Sequence, residues 1–168
     1  MKLSLDCLPC LLRQSLEAAR MVSVDDEDRH RIMTAALEIL SRYRNYETSP
    51  QLARDIHRMI RELTGCADPY SALKAEHISA ALSLYDEIRS VVQDSPDPLL
   101  TAIKAAAIGN IIDAAIITDI QIEQTILTQL SQPLAHCDID PFRRLLARAQ
   151  TILIIGDNAG ESVFDRYL

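Results

Sequence analysis

Thr151-Ile152-Leu153-Ile154-Ile155-Gly156-Asp157-Asn158-Ala159-Gly160-Glu161 is the stretch on which the fold turns. Its apolar part, β-branched at four of five positions and without polar alternation, suits a strand buried on both faces, as in a parallel sheet covered by helices. The glycine-flanked loop then leads into Glu161 to Leu168, where Val163, Phe164, Tyr167 and Leu168 share one side of a predicted helix. A strand requires partners for its backbone groups. The residues before Thr151 contain no second convincing strand. The fold expected is therefore mainly α, with a helical domain over 1–150 and the first strand and helix start of an incomplete α/β domain over 151–168.

Helix starts upstream are marked by a capping residue followed by proline, whose missing N–H costs nothing at the first helical position. The pairs are Ser49-Pro50, Asp68-Pro69, Asp97-Pro98 and Asp140-Pro141. Apolar residues recur at helical spacing after them, as in Leu52, Ile56, Met59, Ile60 and Leu63. Ser23 with Asp26 resembles a capping box, and Gly65 ends the third helix. Helices are expected near 7–21, 24–44, 50–64, 70–93, 98–118, 120–131 and 141–149.

The 168 residues suffice for one ordinary domain or for a domain and part of another. With 48% hydrophobic and 24% charged residues, the composition is that of a soluble globular protein. A formal charge of -7, no Trp and two Phe argue against a nucleic-acid surface. Asp6 and Pro9 interrupt the N-terminal apolar stretch, so no signal-peptide core forms. Ala105 to Ile117 carries Asn110 and Asp113 and is too short for a membrane span. A cytoplasmic protein is expected. Its four cysteines then read as reduced thiols or metal ligands rather than as a disulfide framework.

Three constellations could carry chemistry. At the end of the expected strand, Asp157 offers an anionic oxygen and Asn158 a neutral carbonyl oxygen, a set suited to Mg²⁺ or Mn²⁺. The helix start after it favours a phosphate. An ordinary turn capped by Asp157 or Asn158 explains the same residues equally well. Asn110 and Asp113 share a face of the most apolar helix. They either face a polar cleft or are satisfied within the helical core; the adjacent Gly109 signals close approach by another group. Cys7 and Cys10, in the first turn of a helix, suit a zinc site, thiol exchange or simple core filling.

In this order, Cys7-x-x-Cys10, Asp68-Pro69-Tyr70 with Lys74, Gly109-Asn110-x-Ile112-Asp113 and Asp157-Asn158-Ala159-Gly160-Glu161 with Phe164-Asp165 together resemble the damage-control phosphatase family, known as domain of unknown function 89. The CxxC resembles its prokaryotic branch. The resemblance implies a helical N-terminal part joined to a truncated Rossmann-like α/β part. It also implies metal-dependent hydrolysis of phosphorylated metabolites, including sugar phosphates and damaged phospho-compounds. It makes Asp157 and Asn158 metal ligands and catalytic residues together with Glu161, and Asn110 and Asp113 substrate-binding residues of the same cleft. The cation implied is Mn²⁺, Co²⁺, Ni²⁺ or Mg²⁺.

The family pattern runs on past the Asp-Asn motif through further strands, another aspartate and a lysine. This chain alone is therefore expected to be inactive without the missing C-terminal segment. Its unpaired strand is an edge for a complementing C-terminal polypeptide or a second copy. Two other readings stand beside the phosphatase: a non-catalytic helical interaction module or subunit of a split enzyme, and a zinc- or redox-linked regulator using Cys7 and Cys10.

Overall fold

The computed structural model describes residues 2–23, 25–114, 126–156 and 158–168, and only the backbone over 110–114. It divides into two compact units, Met1–Ala72 and Leu73–Leu168.

The first unit packs three sixteen-residue helices, α1 (Cys7–Val22), α2 (Asp26–Ser41) and α3 (Ser49–Thr64). Its core joins Leu11, Ala18 and Ala19 of α1 to Ile32 and Leu40 of α2 and to Leu52, Ile56 and Ile60 of α3. The α3 residues recur every fourth position and so form one buried stripe, each contributing about 1.5–3 kcal/mol by its removal from water. Ser15 is fully buried in this core, and its hydroxyl donates to the Leu11 carbonyl at 2.7 Å. An isolated antiparallel bridge between Lys2 and Thr48, with Leu3 N–H donating to Glu47 O at 3.1 Å, ties the segment before α1 to the segment before α3.

Several helix starts differ from expectation by one or two residues. Thr48, not Ser49, caps α3, in a capping box with Gln51, and Pro50 falls in the first turn. Asp25, not Ser23, caps α2 by accepting from Glu27 N–H at 3.2 Å, while Ser23 Oγ accepts from Asp25 N–H at 3.1 Å. In both cases a side chain with better reach takes the orphan donors. α2 also stops short of the expected 44, and its last turn tightens into a 3-10 turn at Tyr43–Asn45. Gly65 ends α3 as expected, at φ 68°, its N–H donating to Arg61 O at 2.9 Å.

The second unit contains α4 (Ser71–Ser83, entered from the end of the first), α5 (Tyr85–Gln93), α6 (Pro98–Ala114), a helical stretch over 126–131, α7 (Ile139–Leu146) and the short α8 (Glu161–Phe164), followed by a 3-10 turn at Asp165–Tyr167. The single helix expected over 70–93 is broken at Leu84. The Ser83 hydroxyl donates to the Ala80 carbonyl at 2.7 Å, competing with the helix's own hydrogen bonds there. Asp97 caps α6 as expected, accepting from Leu100 N–H at 3.0 Å. α7 begins at Ile139, ahead of the expected Asp140-Pro141 start. The first part of the helix expected over 120–131 lies outside the described residues.

Ala81, Ile88, Val92, Ala102, Ala105, Ile108, Ile126, Leu130, Val163 and Phe164 form the second core. Lys104 locks the end of the 126–131 stretch onto α6, its ammonium donating to Leu130 O at 3.1 Å and Gln132 O at 2.6 Å. These are the carbonyls a helix end leaves unpaired.

The strand expected over 151–155 is not formed in the described structure. Residues 151–156 adopt no strand, and no ladder is present among the described residues. Far from being buried on both faces, Leu153 is 83% exposed and Ile155 86%. A strand exists only through hydrogen bonds to a neighbour, and no described segment supplies one. The truncated Rossmann-like strand is thus absent from the described architecture, which is helical.

Candidate functional site

The turn over residues 158–161 is organised by two reciprocal hydrogen bonds. Glu161 N–H donates to Asn158 Oδ1 at 2.8 Å, and Asn158 N–H donates to Glu161 Oε2 at 3.1 Å. This is the reciprocal pattern of a capping box, closed over the turn that leads into the helix, whose own N-cap position is Gly160. The capping weighed for Asn158 takes the form of this turn-closing pair with Glu161.

α6 receives this turn at Gly109. A methyl group added there would lie 2.8 Å from Glu161 Cα, 3.3 Å from Glu161 Cβ and 3.2 Å from the Phe164 ring. The close approach signalled by a glycine inside an apolar helix is that of the α8 backbone. The same contact is anchored by Phe164, which is fully buried, and the chain beyond it by Tyr167 of the following 3-10 turn. Tyr167 stacks on Phe164 at 5.9 Å and on Tyr85 at 4.8 Å, and its hydroxyl donates to Tyr85 O at 2.6 Å. Burial first, then the neighbouring Tyr85 and Asp86, pushes the Tyr167 hydroxyl's pKa up, so it remains a donor. Leu168, expected on the same apolar side, is exposed.

Asp165 completes the described acidic neighbourhood and was not singled out as a site residue in the sequence. Its carboxylate would lie 3.4 Å from a methyl group added at Gly156. Burial, and then the negative charge of Glu161, pushes its carboxyl above the usual range. The spacing of Glu161 and Asp165, four residues apart on a helix start, is the signal that would have found it.

Asp157 lies outside the described residues. Asn110 and Asp113 lie within α6, immediately after Gly109, and their side chains are likewise outside the described ones. Cys7 and Cys10 lie in the first turn of α1, in the other unit. Asp6, at the cap position of that helix, makes no side-chain cap bond; Cys7 N–H donates instead to Ser4 O at 3.2 Å.

The donor set of the turn fits a hard divalent cation. Asn158 brings a neutral amide oxygen and Glu161 a carboxylate to the same turn, the oxygen donors that such a cation takes. Two carboxylates close enough for one to raise the other's pKa are stabilised together by a cation. Among the described residues no three His, Cys, Asp or Glu side chains converge as a ready-made metal group. Nor is any described helix long and apolar enough to cross a membrane.

Comparison with known proteins places these features in a family. Residues 3–168 match the damage-control phosphatase ARMT1-like domain. An uncharacterized protein of Methanocaldococcus jannaschii is 31% identical over 99% of this chain and 57% of its own length. A protein named damage-control phosphatase from Archaeoglobus fulgidus is 28% identical over 100% of the chain and 59% of its own. The crystal structure of a domain of unknown function 89 protein from Pyrococcus horikoshii superposes with a TM-score of 0.88 at 27% identity, covering 99% of this chain and 58% of that one. This chain thus spans under two thirds of the length of each. On the match over nearly all its residues, the chain belongs to the damage-control phosphatase ARMT1-like family.

Proposed function

We propose that this chain contributes part of a metal-dependent phosphatase site that hydrolyses small phosphorylated metabolites, sugar phosphates or damaged phospho-metabolites among them. The observation that carries the reading is the Asn158–Glu161 turn held against Gly109 of α6. Asp157 and Asn158 hold the cation, Mn²⁺, Co²⁺, Ni²⁺ or Mg²⁺, and Glu161 fixes the backbone that presents them. When bound, the cation neutralises phosphoryl oxygens and lowers the pKa of an attacking water. Because Gly109 carries no side chain, the turn lies directly on α6, and Asn110 and Asp113 follow within one helical turn to orient the substrate. The chain spans 57% and 59% of the length of two of its relatives, so the assay below pairs it with the remaining portion of one.

The test is hydrolysis of p-nitrophenyl phosphate with each of the four metals, by the chain alone and with the remaining portion of a full-length relative. Activity is expected only in the complemented sample, and Asp157→Ala abolishes it. Metal-dependent hydrolysis that survives Asp157→Ala refutes the assignment.

A second reading, a non-catalytic interaction module, is favoured by the exposed Ile152, Leu153, Ile154 and Ile155. It predicts binding to a partner without hydrolysis under any of the four metals.

A further inference from the structure

The paired thiols of the first unit play no part in the phosphatase reading, and the structure gives them a chemistry of their own. Cys7 opens α1 and is partly buried; Cys10, one turn on, is exposed, and both are free thiols. Cys7 Sγ lies 3.4 Å from Ser4 Oγ. The sulfur sits in the first turn of a sixteen-residue helix, where the partial positive charge of the helix start favours an anion. The Ser4 hydroxyl, then the Ser4 backbone and Ser49, hold the Cys7 thiol below its ordinary value against the opposing charge of Asp6. Cys10 Sγ instead accepts a long hydrogen bond, 3.7 Å, from Gln14 Nε2.

A zinc site needs further ligands. Among the described residues no third His, Cys, Asp or Glu joins the pair. Disulfide closure does not need one. Cβ atoms one helical turn apart are about 5–6 Å from each other, and a disulfide holds them near ~3.8 Å. The first turn of α1 tightens to close the bond, and a strained, accessible disulfide is readily reduced.

We propose that Cys7 and Cys10 form a reversible thiol–disulfide site, with Cys7 as the attacking thiolate, Cys10 as the resolving thiol and a low-molecular-weight disulfide as the oxidant. The Cys7 thiolate attacks one sulfur of that disulfide, forming a mixed disulfide and expelling the other half as a thiolate. Cys10 releases its proton to solvent and attacks the Cys7 sulfur, expelling the second half. Two protein thiols are oxidised, and one small disulfide is reduced to two thiols. The site stands whether or not the phosphatase reading does.

The test uses glutathione disulfide on the full chain, followed by an acid quench and mass analysis of the tryptic peptide Leu3–Arg13, which carries both cysteines. The peptide is expected to lose two hydrogens and to regain them with dithiothreitol. In Cys10→Ser the reaction stalls as a glutathione adduct on Cys7, formed several-fold faster than on the exposed Cys137. Ser4→Ala slows that attack several-fold and leaves Cys137 unchanged. The proposal is overturned if the unaltered chain keeps both thiols while Cys137 carries glutathione. It is equally overturned if Cys10 of Cys7→Ser reacts as fast as Cys7 of Cys10→Ser.

Discussion

Replacing Gly109 with alanine tests the contact that brings the 158–161 turn to α6. On an exposed helix this change would stabilise by about 1 kcal/mol, because alanine loses less backbone entropy. Here the new methyl meets Glu161 Cα at 2.8 Å, well inside van der Waals contact, and a backbone atom cannot rotate aside. Overpacking costs about 1–3 kcal/mol, and the backbone clash puts this site at the upper end. Subtracting the helix gain leaves a net loss of about 1–2 kcal/mol. For a chain of this size that is a fall in Tm of about 2–8 °C. The measurement is urea and thermal unfolding followed by circular dichroism. Phe164→Leu in the same background provides a second readout. The Phe164 ring lies 3.2 Å from the added methyl, so the smaller side chain relieves part of the clash. The double variant should be more stable than the sum of the single effects by at least about 0.5 kcal/mol. A Gly109→Ala chain as stable as the parent, or more so, would refute the close approach of α8 to α6 and with it the placement of the site.

Asn158→Ala removes the cap of the turn and should cost about 1 kcal/mol in urea unfolding, whereas Asn158→Asp, which keeps an acceptor oxygen, should cost less than half of that. Equal losses would show that the reciprocal bonds with Glu161 do not hold the turn. Phe164→Ala, at a fully buried position, should cost about 3–5 kcal/mol; a loss under about 1 kcal/mol would contradict its place in the second core. Asp97 is held below the usual aspartate range by the Leu100 N–H, and then by its ion pair with Arg143. A depressed pKa stabilises the fold above the unfolded value, near about 3.9, and that stability is lost as pH falls through the folded value. Asp97→Asn should therefore flatten the acid side of the stability profile below about pH 4. An unchanged acid limb in the variant would remove Asp97 from the account.

Much of the helical layout is legible because its signals are local. Leu52, Ile56 and Ile60 announce one buried stripe, Gly65 an ending, Asp97-Pro98 a start, and each stands where its spacing puts it. The caps at Thr48 and Asp25 were missed because neighbouring residues are chemically competent caps, and only the three-dimensional reach of a side chain decides between them. The break at Leu84 stands beside the Ser83 hydroxyl that donates to the Ala80 carbonyl, a local competition with no periodic signature. The run 151–155 forms no strand here for a different reason. Strand propensity is local, but pairing is not, and the described chain offers no partner. At the site, Gly109 was legible as a position awaiting a neighbour, and the neighbour, Glu161, lay in the motif quoted beside it. Asp165 was within reach through its four-residue spacing from Glu161, whereas its approach to Gly156 has no signal in the sequence around it.

The exposed run Ile152 to Ile155 also bears on how the chain behaves at high concentration. It carries no charge, and its nearest ionisable neighbours are Arg148 and Asp157. A short, β-branched, uncharged segment of this kind is what stacks in register between identical molecules. Arg148 and Asp157 serve as gatekeepers at its two ends, so the aspartate proposed to hold the cation also limits self-association. Conditions that neutralise Asp157, whether acid or a substitution, weaken that guard, and colloidal loss then accompanies any loss of chemistry.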